Sequence, residues 1–166
     1  MSSLYDMWAW WPRAEPVLDR AAMADARDMA AIHGASFHRG WDVQDFETML
    51  VDRSILAHAL RRRATQPVGA FVVSRLAADE AEILTIAVLP RLRGRGFAGQ
   101  LLDAHVKDLM RAGIANLFLE VEAENAPALK LYQRRGFSII GRRRGYYRTA
   151  TGTADAVMMR KVLPTI

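Results

Sequence analysis

The chain has 166 residues, is 51% hydrophobic and 25% charged, and carries a net charge of +5. That length suits one domain, with enough apolar material for a core and too much for disorder. It contains no cysteine, which excludes disulfides, thiolate zinc sites and a thiol nucleophile. His33, His38, His58 and His105 lack metal-ligand spacing, so no metal is expected. No apolar run approaches the roughly 18 residues of a membrane span. The start lacks the basic and apolar regions of a secretory signal. A cytoplasmic protein with no membrane partner is the expectation.

Residues 1–15 read as an irregular arm whose Trp8, Trp10 and Trp11 suit an apolar groove, and residues 16–166 as a single domain. Val17 to Arg20 forms a short strand. Asp25 to Ser36 has helical spacing at Met29, Ile32 and Ala35 or Ser36. Asp42 is the N-cap of a second helix, with Asp45 three residues on in the manner of a capping box. Leu56 to Arg61, Val68 to Leu76 and Ala81 to Leu89 read as strands, with Asp79-Glu80 turning the second into the third.

Phe97 to Ala112 carries an apolar stripe of Leu101, Leu102, His105, Val106 and Leu109, ended by Gly113. Leu117 to Val121 has the pattern of a buried parallel strand. Asn125 caps a helix from Ala126 to Arg135, stopped by Gly136. Phe137 to Gly141 and Asp155 to Val162 close the chain as a hairpin with a loose connection over Thr149–Ala154. A meander followed by β-α-β-α-β-β predicts an α/β (α+β) fold, a mixed sheet of about six or seven strands with helices on both faces. The arginines fall in three groups: Arg91, Arg93 and Arg95; Arg142, Arg143, Arg144 and Arg148; and Arg61 to Arg63, the last read as a solvated strand end.

The first arginine group sits beside glycines, between the strand that ends at Leu89 and the strongest helix. Strand, glycine-rich turn and helix N-terminus together make an anion site, because free backbone N–H groups and the positive helix end point the same way. Two patterns compete for it. Gly94-x-Gly96-x-x-Gly99 matches the dinucleotide fingerprint. However, Pro90 to Arg93 intervene after the strand, and too little chain follows for a second mononucleotide half. Arg93-x-x-Gly96-x-Ala98, followed by Leu101-Leu102, resembles the pyrophosphate loop of the GNAT acetyltransferase superfamily, and the order of elements fits over residues 17 to 163.

Amide formation from a thioester needs a general base for the amine and a general acid for the leaving thiol. Glu120, inside the Leu117–Val121 run, and Tyr132, on the apolar side of the next helix with Leu129, are of the right types. Read without a family, Glu120 is equally a strand-end residue facing solvent, and Tyr132 a core residue. The stretch Leu119-Glu120-Val121 through Asn125 and Leu131-Tyr132 to Gly136-Phe137 is similar to the RimI-type bacterial ribosomal-protein alanine N-acetyltransferases. Arg143-Arg-Gly-Tyr-Tyr147, Asp155-Ala-Val-Met-Met159 and Phe37-His-Arg-Gly-Trp41 resemble further segments of that family.

The resemblance implies acetyl-CoA as cosubstrate, Glu120 as proton acceptor and Tyr132 as proton donor. It places coenzyme contacts on Ile86, Ala87, Val88, Arg93, Gly94, Arg95, Gly96, Phe97, Ala98, Gly99 and Asn125. Trp41, Tyr146 and Tyr147 are the candidate substrate-cleft residues. The implied acceptor is the amino-terminal alanine of small-subunit ribosomal protein S-eighteen, presented as a peptide and without a nucleic acid. That partner is basic, so Glu120, Glu122, Glu124 and Asp42 are candidates for an acidic cleft. Rival readings are a GNAT enzyme for lysines or small amines, and a non-catalytic coenzyme- or RNA-binding module.

Overall fold

The computed structural model describes residues 15–164. Apart from Glu15, the Trp-bearing arm lies outside the described residues. Among the described residues the strands are β1 (Val17–Arg20), β2 (Ile55–Arg61), β3 (Val68–Ala77), β4 (Glu80–Val88), β5 (Asn116–Glu122), β6 (Ser138–Thr149) and β7 (Gly152–Val162). The α-helices are α1 (Ala26–Ser36), α2 (Val43–Val51), α3 (Phe97–Arg111) and α4 (Ala126–Arg134). The sheet order is β1-β2-β3-β4-β5-β7-β6. Pairing is antiparallel except between β4 and β5. The mixed sheet and flanking helices are those the element order predicts.

Alternation along β2 and β3 divides the core into two layers. Leu56, Leu60, Ala70 and Val72 pack with Leu101, Leu102 and Leu109 of α3 and Tyr132 of α4. Ala57, Ala59, Phe71 and Val73 pack with Met29 and Ile32 of α1 and Phe46 of α2. Leu101, Leu102 and Leu109 are fully buried, each contributing about 1.5–3 kcal/mol through its apolar surface. Ala35 is exposed, so the α1 stripe ends at Ile32 and His33.

Local signals place most helix ends. The Asp42 carboxylate accepts from the Asp45 amide, and the Asp45 carboxylate accepts from the Asp42 amide. Asn125 Oδ1 accepts from the Ala128 amide at 3.2 Å. After α3, the amide of Gly113 donates to Met110 and that of Ile114 to Leu109, a Schellman ending.

Four expectations need correction. The β3–β4 turn is centred on Ala78-Asp79, because Ala77 pairs with Glu80. β5 is not buried throughout: Leu117, Leu119 and Val121 face the α3 layer, while the alternate residues are partly exposed. The layer formed by α1 and α2 packs on β2, β3 and β4 and includes no residue of β5, so that face of β5 is left uncovered. β6 and β7 run much further than expected, and their connection is a tight turn, since Thr149 pairs with Gly152. Arg61 is not a solvated strand end: it is buried and bonded to Asp25 at 3.0 Å and to Asp19 at 3.2 Å.

His105, read as part of an apolar stripe, joins a buried polar chain. Ser74 Oγ lies 2.7 Å from His105 Nε2, His105 Nδ1 lies 2.8 Å from His58 Nδ1, and His58 Nε2 lies 3.0 Å from Asp108. Burial holds both imidazoles below the usual histidine value. One tautomer assignment satisfies every atom: Ser74 donates to His105, His105 to His58, and His58 to the Asp108 carboxylate. The chain fastens α3 to β2 and β3.

Candidate active site

The central strands part company. β4 pairs with β5 from Glu80–Asn116 to Ile83–Leu119. Between Val73–Thr85 and Ser74–Ile83 the β3–β4 register shifts by one residue, leaving Leu84 as a bulge on β4. A bulge bends its strand and strengthens the local twist. β4 stays on β3 as far as Val88 while its β5-facing edge has no ladder partner after Ile83. Ile86, Ala87 and Val88 lie on that edge, beside the end of β5 that carries Glu120.

The glycine-rich loop follows directly, after a turn of 3-10 helix at Pro90–Leu92. Gly94 has φ +74° and Gly96 φ +81°. An L side chain rarely adopts such angles, and no atom lies within 4 Å of where either Cβ would stand. Gly96 caps α3, whose ladder begins with the Gln100 amide donating to the Gly96 carbonyl. First-turn amides such as those of Ala98 and Gly99 therefore point out of the helix mouth.

Phe97 is buried in the core cluster below, and Arg95 is exposed. Arg93 folds back onto protein: its Nε donates to the Val88 carbonyl at 3.1 Å and its Nη2 to Ser36 Oγ at 3.0 Å. Gly99 faces the Arg135 guanidinium, which occupies the place of a Cβ. Asn125 stands at the head of α4, with its carbonyl oxygen used as the cap.

On the α1–α2 face of the same gap an open cleft of about 540 Å³ is lined by Trp41, Asp45, Thr48, Met49, Arg75, Glu82, Ile83, Leu84, Glu120, Tyr146 and Tyr147. All three candidate substrate residues meet Glu120 there. Glu120 Oε1 lies 3.4 Å from Arg143, with 19% of its side chain exposed. It is thus neither enclosed in the apolar core nor a free strand end.

Tyr146 and Tyr147 reach the cleft through a second irregularity, where the β6–β7 register breaks between Arg143 and Tyr147. Asp155 braces this bulge, accepting from the Gly145 amide at 2.9 Å and from Arg142 Nε at 3.0 Å. Arg143 lies over the Tyr146 ring at 5.1 Å. Burial and the neighbouring Glu120 push the Tyr147 phenol up to about 12.

Tyr132 lies on the other side of the sheet. It is buried in the α3–α4 layer, with its ring 5.6 Å from that of Phe137. Burial, and secondarily Tyr147, push its phenol above the ordinary tyrosine value. Glu120 and Tyr132 therefore flank the β4–β5 gap from opposite faces.

The acids of the cleft differ from those proposed from sequence. Asp45, which shares the capping box with Asp42, and Glu82 join Glu120 in the lining, whereas Asp42, Glu122 and Glu124 do not line the cleft. Arg75 is the cationic residue in the lining. Asp45, Glu82, Arg75 and Met49 were missed as site residues. The local sign for Glu82 was its exposed register opposite the buried Ala81 and Ile83. Among the described residues, no group of three or more His, Asp or Glu is placed to hold a metal ion. No described helix is long and apolar enough to cross a membrane.

Residues 6–137 match the model of the Acetyltransferase (GNAT) family. The chain belongs to that family, whose members use acetyl-CoA. It is 39% identical over 100 residues to a curated [ribosomal protein bS18]-alanine N-acetyltransferase of Salmonella typhimurium, covering 60% of this chain and 68% of the relative. Its fold superposes on the crystal structure of the ribosomal-protein alanine N-acetyltransferase from Escherichia coli with a TM-score of 0.84. Identity there is 28%, over 92% of this chain and 96% of the other. Arabidopsis thaliana NAA60 in complex with acetyl-CoA shares the fold at a TM-score of 0.78 and 21% identity, over 90% of this chain and 99% of the other.

The residues present fit the coenzyme. Open space over Gly94 and Gly96 at a helix N-terminus suits a pyrophosphate. The unladdered edge of β4 suits the amide-bearing arm that follows it.

Proposed function

We propose that the chain transfers acetyl from acetyl-CoA to the amino-terminal alanine of ribosomal protein bS18. The observation that carries this reading is the cleft in which Glu120 stands with Asp45, Glu82 and an aromatic wall, at the break in β4–β5 pairing. An acidic, open cleft accepts an extended chain bearing a cationic amine. The Salmonella relative bears that substrate in its name.

Acetyl-CoA supplies the activated acetyl thioester. The amides of Gly94 to Gly99 hold its pyrophosphate, the edge at Ile86, Ala87 and Val88 pairs with its arm, and Asn125 lies alongside. Arg93 supports this loop from behind by fixing Val88 and Ser36. The peptide enters from the α1–α2 face, between Trp41, Tyr146 and Tyr147. An α-amine has a pKa near 8, so roughly a fifth is already neutral at physiological pH, against about a thousandth of a lysine. Glu120 helps the remainder lose its ammonium proton to solvent and, as the C–N bond forms and the C–S bond breaks, accepts the proton that the attacking nitrogen must lose. Tyr132, on the opposite face, gives its proton to the departing sulfur. Proton acceptor and proton donor thus reach the thioester from different sides of the sheet. The reaction requires no nucleic acid, and a ribosomal acceptor is consistent with the cytoplasm.

The test uses purified protein, acetyl-CoA and two peptides of the bS18 amino-terminal sequence, one with a free alanine amine and one with that amine blocked. Mass spectrometry should find one acetyl group, on the α-nitrogen of the free peptide only. Acetylation of lysine in the blocked peptide, or none in either, would reject the assignment.

A further inference from the structure

We infer that His33 is a positioning residue for the acceptor cleft, holding Trp41 in place through the Trp41 main-chain amide. This inference rests on the acceptor-cleft reading and goes one residue deeper. The Trp41 N–H donates to His33 Nδ1 at 2.9 Å, across eight residues of sequence. The two rings stack, with centroids 4.7 Å apart and planes 10° from parallel. Trp41 lines the cleft that contains Glu120, whereas His33 is only 4% exposed and does not line it. His33 therefore acts on the substrate site through another residue.

The surroundings make the arrangement rigid. Between α1 and α2 the chain doubles back so closely that a Cβ on Gly40 would lie 3.0 Å from the Gly34 backbone. This approach brings residue 41 over the last turn of α1. Phe37 covers His33 at 4.4 Å, and Phe46 meets both His33 and Trp41 edge-on at 5.7 Å. Phe46 is packed in turn against Phe71 of the sheet. The N–H donor requires an unprotonated Nδ1, so Nε2 carries the ring hydrogen. Burial pushes the imidazole down to about 4, opposed by Asp45, so the acceptor persists at neutral pH. A phenylalanine at this position keeps the ring stack and leaves the Trp41 amide without its partner, an outcome that is costly in a part-buried setting.

Steady-state kinetics on the full chain, with the alanine-first peptide varied at saturating acetyl-CoA and the reverse, tests the role. His33→Phe should raise the peptide KM roughly five- to tenfold, on the scale of one unmade hydrogen bond, with the coenzyme KM unchanged. His33→Asn, which keeps an acceptor oxygen close to the Nδ1 position, should stay within about twofold of wild type. In a Trp41→Ala background, His33→Phe should add little, because the group it positions is gone. If Trp41→Ala raises the peptide KM and His33→Phe does not, the inference fails and the cleft assignment stands. Additive effects, or a parallel rise in the coenzyme KM, would also overturn it. If neither variant alters the peptide KM, both readings fall. Should His33→Phe not fold, a large rise in peptide KM for His33→Asn contradicts the proposal and a near-native value supports it.

Discussion

Replacing Glu120 by Gln is expected to lower turnover by about two to four orders of magnitude, the usual worth of a positioned acid–base group, with the coenzyme KM unchanged. The substitution keeps the shape and one acceptor oxygen and removes the basic carboxylate. Its structural cost is small: the partner, Arg143, is half exposed at 3.4 Å, and such pairs contribute about 0–1 kcal/mol. The defect should shrink as pH rises. With an α-amine pKa near 8, the neutral fraction climbs from about a tenth at pH 7 to about nine-tenths at pH 9, so rescue is at most roughly tenfold. Single-turnover rates of folded variant and wild type between pH 7 and 9 check both points. Equal rates at pH 7 would remove Glu120 from the chemistry.

The second large effect is on the opposite face. Tyr132→Phe should slow turnover by about two to four orders of magnitude while leaving stability nearly intact, because the ring that packs against Phe137 remains. Burial raises the Tyr132 phenol above its ordinary value, so the group is protonated throughout the working range. Donation to sulfur is not thereby opposed, since a thiolate leaving into the same dry pocket has its own pKa raised by the same desolvation. A leaving thiol that is intrinsically more acidic needs the proton less. Acetyl thioesters of increasingly acidic thiols should narrow the gap between Tyr132→Phe and wild type. A constant gap across that series would assign Tyr132 to packing alone.

What could be read directly from the sequence was local. The Asp42 box, the Asn125 cap and the Gly113 helix stop each depend on a few neighbouring residues, and each stands where the chain order put it. Features set by long-range register were out of reach. Asp45 and Glu82 enter the cleft because α2 and β4 meet across the sheet. His105 looked apolar because its i−4 neighbour is Leu101, while its partners, Ser74 and His58, lie 31 and 47 residues away. The length of β6 was hidden for a related reason. It is an edge strand exposed on both faces over most of its length, so its arginines alternate with nothing apolar, and its extent is dictated by β7. The exposure of the β5 face carrying Glu120 is not legible in the run itself, because it depends on the α1–α2 layer packing on β2, β3 and β4 and not on β5.

Acetyl transfer by this chain depends on the loop at Gly94–Gly99 taking up the coenzyme's pyrophosphate. Calorimetric titration of acetyl-CoA into wild type and Gly96→Val tests it most directly. At φ +81° a valine is strained whatever the space, so the loop must change shape or its Cβ must occupy the cradle. Saturable binding of one coenzyme per chain is predicted for wild type, weakened at least about tenfold in the folded variant. No heat of binding in wild type, or the same affinity in both proteins, would contradict the account.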